Sequence, residues 1–354
     1  MKKIFKNGKR WTVNGGRWVQ IRAFIFLIGF LLILPSFGEA QVKQSKEFNE
    51  EYSGKTHVSV SHRRGPLVVK KSTDNIVRVH VKMNVEAKDK ETVDAVMNQF
   101  KISDNGSTSH LDLDLAMNTV NWITINGVTK IKFEDGTVIK GLKKLEAEFT
   151  LWIPDLQSLD LENKYDEINI EHDLKGDLKV NLYSGKLYAK DVDGKLDLRM
   201  KYGKAYLKNV RDADIDLYEN DLEMGNAEDV NIKNKYSSIT MGNVTGLKLE
   251  MYDGKLQMGN VVNDFEINDK YSDIWLGNFK DGKVTLYEGT LLIGNGNSLR
   301  GKNKYNKLTI GNLHELNFSE SYQGKVKVDK LDRFHTISKY TEYEVATLTQ
   351  KIEM

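Results

Sequence analysis

From about Leu161 onward, apolar residues take every second place in short runs. Leu247, Leu249 and Met251 alternate with Lys248 and Glu250, and after Tyr252-Asp253-Gly254 the alternation resumes with Leu256 and Met258. Then come Gly259-Asn260 and Val261, and the next unit repeats the plan through Phe265, Ile267, Tyr271, Ile274, Leu276 and Gly277-Asn278. A period of two means strands with one buried face. Each unit therefore holds two short strands and two corners, one marked by Tyr and one by Gly-Asn. Strands this short with no helix between them exclude a doubly wound fold.

The corner markers recur with a fixed spacing. Tyr appears at 165, 183, 202, 218, 236, 252, 271, 287, 305, 322 and 340, and Gly-Asn at 225, 242, 259, 277, 294 and 311. The pattern predicts an all-β chain, a parallel β-solenoid of ~17-residue, two-strand coils stacked about 4.8 Å apart. A coil of ~35 residues with four strands is the alternative, because Lys-Tyr corners alternate with a second kind. The unalternating Gly-Asn marker favours the shorter coil. Stacking would align Asn209, Asn226, Asn243, Asn260, Asn278, Asn295 and Asn312 as a structural ladder, its amides bonded along the column. Gly beside each Asn is expected to take a positive φ.

Residues 41–160 read as a β-rich N-terminal cap before the coils of 161–354. Val77, Val79, Val81, Met83 and Val85 alternate with polar residues, as do Leu111, Leu113 and Leu115. One helix is expected over 88–101, where Val93, Val96, Met97 and Phe100 share a face. Residues 118–145 look like an inserted hairpin turning at Glu134-Asp135-Gly136, and they contain Trp122.

Charge changes the picture at the start of the chain. The whole sequence carries 52 basic and 50 acidic groups, but residues 1–40 hold seven of the bases and one of the acids. The rest of the chain is mildly acidic without a basic tract, which argues against nucleic acid as a partner. The basic stretch ends at Arg22, an apolar run fills 23–34, and Pro35 breaks it. That is the order of a secretory signal, with cleavage expected between Ala40 and Gln41. The apolar run is too short to span a bilayer, so no membrane span is expected after signal removal. The protein is therefore expected to be exported, to the periplasm or surface of a Gram-negative cell. Only 3 Pro occur in 354 residues, as stacked strands require, because Pro lacks the N–H that a ladder uses.

Candidate chemistry is sparse. There is no Cys, so thiolate zinc sites, disulfides and Cys nucleophiles are absent. The seven His form no metal-binding pair, and no nucleotide loop or nucleophile elbow occurs. The Gly-Asn corners lack the Asp of a calcium-binding β-roll. No cofactor and no metal are expected, and the protein reads as a non-enzyme. Trp275 replaces a polar outward residue between Ile274 and Leu276, and with Trp122 it is a candidate contact residue. The Tyr column could be a sugar-stacking stripe or a packing ladder.

Three stretches, His57–Val69, Val77–Phe100 and the Tyr/Gly-Asn coils from Leu161, resemble the bacterial putative adhesin family related to auto-transporter adhesin head-GIN domains. The resemblance implies a secreted β-solenoid acting by adhesion. The expected function is that of a non-catalytic cell-envelope interaction or structural module whose partner is a protein or a glycan. The alternatives are an envelope sensor or assembly factor docking a protein through 118–145, and a polysaccharide-active enzyme on a β-helix.

Overall fold

A computed structural model describes residues 41–354 other than 116, 118, 350, 351 and 354. The expected leader, residues 1–40, lies outside the described residues, and so does Ala40 of its cleavage site. From Val42 on, the chain is one unit, about 73% strand with a single helix, forming a parallel β-solenoid of about 11 turns.

Every coil pairs in parallel with the next. Ile232 lies opposite Leu249 and Leu249 opposite Ile267, so one coil takes 17 or 18 residues. The long strand of a coil, such as Val244–Tyr252, stacks on Val261–Lys270, and the short one, Lys255–Met258, on Asp273–Leu276. Alternate side chains point inward, where Leu249, Leu256, Ile267 and Ile274 are buried. Each stabilises the stack by about 1.5–3 kcal/mol relative to exposure. Outward acids and bases pair between coils, as in Lys283–Glu266 at 2.8 Å and Lys204–Asp221 at 2.7 Å. Such exposed pairs set register more than stability, at about 0–1 kcal/mol each.

At the Gly-Asn corner the side chains bond to backbone, not to one another. The Asn260 N–H donates to Asn243 Oδ1 at 2.8 Å, and the Asn278 N–H donates to Asn260 Oδ1 at 2.8 Å. The chain of bonds runs from Asn209 through Asn226, Asn243, Asn260, Asn278 and Asn295 to Asn312. Asp191 continues it below, accepting the Asn209 N–H at 2.9 Å. The expectation of positive φ at these glycines fails: positive φ sits at the other corner. Glycine is needed here for space. A Cβ on Gly277 would stand 2.5 Å from Asn260 Oδ1.

The Tyr corner resolves the two candidate coil lengths. One corner residue per coil has positive φ, in order Tyr165, Ser184, Tyr202, Glu219, Tyr236, Asp253, Tyr271, Glu288, Tyr305, Gln323 and Tyr340. In the intervening coils Tyr stands one residue earlier, opposite Lys, so Tyr218 faces Lys201 and Lys235. Tyr thus shifts by one place in successive coils. The coil has 17–18 residues, and its Tyr corner has a two-coil sequence period.

The stack reaches back into the N-terminal half. His57–Arg63 and Leu67–Lys71 pair in parallel with Ser158–Lys164 and Ile168–Ile170. Between these segments the chain builds an antiparallel sheet, ordered Val42–Ser53, Ile76–Ala87, Val138–Ile153, Val128–Phe133, Thr119–Ile125. The helix α1, Lys90–Gln99, starts where the Asp89 carboxylate accepts the Thr92 N–H at 2.8 Å, and it buries Val93, Val96 and Met97. Phe100 then packs edge-on to Phe48 at 4.8 Å. The insertion turns twice, not once. Besides the Glu134-Asp135-Gly136 bend, Asn126 and Gly127 both take positive φ, the signature of a two-residue hairpin turn. Among the described residues, no helix is long and apolar enough to cross a membrane.

Candidate binding surface: an aromatic column and the cleft at its head

The alternating Tyr positions place successive rings at right angles. From Tyr165 to Tyr340 each ring meets the next at 5.4–5.9 Å between centroids, with interplanar angles of 71–86°. This is the favoured edge-to-face geometry, worth about 0.5–1.5 kcal/mol per pair. The rings stay accessible: Tyr202, Tyr236 and Tyr271 are each over 40% exposed. Lys164, Lys201, Lys235, Lys270 and Lys304 precede the positive-φ tyrosines, and Glu219, Asp253 and Glu288 occupy their place in alternate coils. The outward corner is therefore an exposed aromatic strip set among charges of both signs.

The column ends at a basic residue. Arg63 lies opposite Lys164, so Arg64 holds in the first coil the place of Tyr165, with φ 62°. Its guanidinium stacks 4.3 Å from the Trp122 ring and 5.8 Å from the Tyr165 ring. A cation between two aromatic faces is attracted to both. Trp122, half-buried on Thr119–Ile125, thus caps a column built from coils far away in sequence.

A cleft of about 760 Å³ opens at this head. Its floor is Met83, Phe100, Leu115 and Phe149, all buried, and its rim carries Arg63, Arg64, Glu146, Glu148 and Asp166. Two of the three acids are engaged: Asp166 accepts the Gly65 N–H at 2.7 Å, and Glu146 pairs with Lys144 at 2.7 Å. Behind the rim, His62 is buried, with Nε2 3.0 Å from the Gly65 carbonyl oxygen and its ring against Phe149. Burial pushes its pKa down to about 4, despite that hydrogen bond and the Asp166 charge, so it is neutral near pH 7. Among the described residues no group of His, Asp and Glu is arranged to hold a metal ion.

Of the residues singled out from sequence, Trp122 is at the cleft and Trp275 is not. Trp275 lies half-buried on the outward face of a short strand, between Gln257 and Leu292 of the adjacent coils. The Asn ladder lines the Gly-Asn corner. Arg64 was not found by sequence reasoning, yet a signal existed. His62-Arg63-Arg64-Gly65 aligns with Asn163-Lys164-Tyr165-Asp166, which marks a Tyr corner with its Tyr replaced.

No family model matches the chain, and no curated protein sequence matches it. Solved structures with similarity include a putative cell adhesion protein from Clostridium sporogenes, 10% identical over 80% of this chain and 99% of that one, with a TM-score of 0.20. A putative adhesin from Parabacteroides distasonis is 8% identical over 86% of this chain and 96% of that one, with a TM-score of 0.25. A putative lipid binding protein from the same organism is 7% identical over 87% of this chain and 97% of that one, with a TM-score of 0.24.

Proposed function

We propose that the protein is a non-catalytic binding rod of the cell envelope, exported by its leader, that holds an extended partner along the Tyr column and anchors it in the cleft. The observation that carries this reading is the Trp122–Arg64–Tyr165 sandwich. A surface-accessible guanidinium held between two rings offers charge and stacking together, and the column continues the same surface from coil to coil. Partly exposed aromatics in contiguous rows mark contact sites. A glycan, which presents flat ring faces at regular intervals, suits such a strip best.

Glu148 beside Arg63 and Arg64 favours a second reading, glycan cleavage, because a rim with a free carboxylate and a base could host acid–base chemistry. One experiment separates the two. Purified protein is incubated with envelope polysaccharide, and both the bound fraction and new chain ends are measured. The binding rod predicts saturable binding, weakened at least several-fold by Arg64→Ala, and no new chain ends. Chain ends formed by the parent protein and lost in Glu148→Gln would establish an enzyme. Equal binding by parent and Arg64→Ala would rule out the cleft as the anchor.

A further inference from the structure

The outer face of the inserted hairpin is unlike the rest of the surface. Ile123, Ile125, Val128 and Val138 are all well exposed, with Ile125 at 66%. Ladder partners fix which side chains share a face. Ile123 is opposite Lys130 and Lys130 opposite Lys140; Ile125 is opposite Val128; Lys132 is opposite Val138. The residues between them, Thr129, Ile131 and Ile139, are buried on the other side. One face therefore presents four aliphatic side chains interleaved with Lys130, Lys132 and Lys140. None of these three lysines makes an ion pair among the described residues, although lysines elsewhere on the coils commonly do. The acids closest in sequence, Glu134 and Asp135, sit at the far turn, where Asp135 accepts bonds from Gln99 and the Thr137 N–H.

The position of this face in the sheet adds a second observation. Val42 is opposite Ala87, Ala87 opposite Leu142, Leu142 opposite Thr129, and Thr129 opposite Thr124. These residues form a row across one end of the five-stranded sheet. The Asn126-Gly127 turn, flanked by Ile125 and Val128, projects from that end, and the strand Val42–Ser53 begins there too. The other sheet edge is that strand, and it carries Lys43, Lys46, Glu47, Glu50 and Glu51. The edge strand Thr119–Ile125 carries no charge at all.

We infer that the hairpin tip docks the protein on an anionic lipid surface, with Ile123, Ile125, Val128 and Val138 entering the interface and Lys130, Lys132 and Lys140 meeting the headgroups. Aliphatic side chains alone would fit many partners. Unpaired lysines interleaved with them select an acyl boundary beneath negative charge. The bilayer surface supplies both across the plane that a flat sheet face needs. The Tyr column and the cleft are not used, so this docking stands or falls separately from partner binding.

The absence of Cys makes the test direct. Ile125→Cys in the full chain is labelled with an environment-sensitive fluorophore, and Val262→Cys, on an exposed apolar position of a distant coil, serves as the control. Vesicles of phosphatidylcholine, with or without abundant phosphatidylglycerol, are then added. The expected result is a several-fold brightening and blue shift at position 125 with the anionic vesicles only, weakened by high salt and abolished in K130E/K132E/K140E. Position 262 should not respond. No change at position 125, an equal change at 262, or a response indifferent to lipid charge would overturn the inference. The singly labelled chain keeps all its lysines, so the inference is tested even if the triple variant folds poorly.

Discussion

At the scale of single residues, the two corners solve different problems. The Gly-Asn corner is a spatial fit. Asn260 Oδ1 needs the space that a Cβ on Gly277 would fill, and it supplies the only side-chain acceptor the Asn278 N–H has among the described residues. Asn260→Ala should lower unfolding free energy by roughly 1 kcal/mol in chemical denaturation. Gly277→Ala should cost about 1–3 kcal/mol, and that cost should shrink once Asn260 is Ala. Additive effects would show that the ladder and the glycine are independent. Asp269 is a second residue-scale case. It is buried where Asn234 and Asn303 stand two coils away, and burial raises its pKa to about 6. Between pH 4 and 6 the folded chain holds a proton that the unfolded chain has released, so this site loses stability as pH rises through that window. Asp269→Asn should therefore stabilise on the order of 2 kcal/mol at pH 8 and little at pH 4. An equal gain at both values would assign the effect to something other than charge.

At the scale of elements, the unit of the fold is one coil but the unit of the sequence is two. The strands and their alternation were legible directly, because period two over many repeats has one reading. So was the short coil, through the Gly-Asn marker. The reason for the irregular Tyr intervals was not, because it lies in three dimensions: rings from successive coils must leave the corner at different residues to meet edge to face. The positive φ was assigned to the wrong corner for a related reason. Glycine suggests left-handed backbone, yet here it makes room, and Tyr and Glu bear the backbone cost at the other corner. A deletion tests the two-coil unit. Excising Tyr236–Lys270 joins Lys235 to Tyr271 and keeps the alternation, so melting should fall by only a few degrees. Excising Tyr236–Tyr252 removes one coil and leaves a corner without Tyr. That variant should be the less stable by about 1–3 kcal/mol, the worth of the two edge-to-face contacts the corner loses. Equal stabilities would deny the column an energetic role.

At the scale of the whole molecule, one surface joins parts that the sequence keeps apart. Arg64 and Tyr165 are separated by a hundred residues of antiparallel sheet, helix and hairpin, yet the first coil stacks directly on the second. The expectation of coils from 161 onward missed this coil, because its next partner in the stack comes only after the excursion. Trp122 could be marked as a candidate from its chemistry. Its place over Arg64 could not, because strand pairing across the sheet decides it. A partner held along this surface would shield its rings from solvent, and hydroxyl-radical footprinting of the protein bound to envelope polysaccharide reads that shielding most directly. At saturation, oxidation of Trp122, Tyr165, Tyr202 and Tyr236 should drop several-fold while Trp275 stays as reactive as in the free protein. Saturated binding with the Tyr column as reactive as before would contradict the claim that this surface is the one that binds.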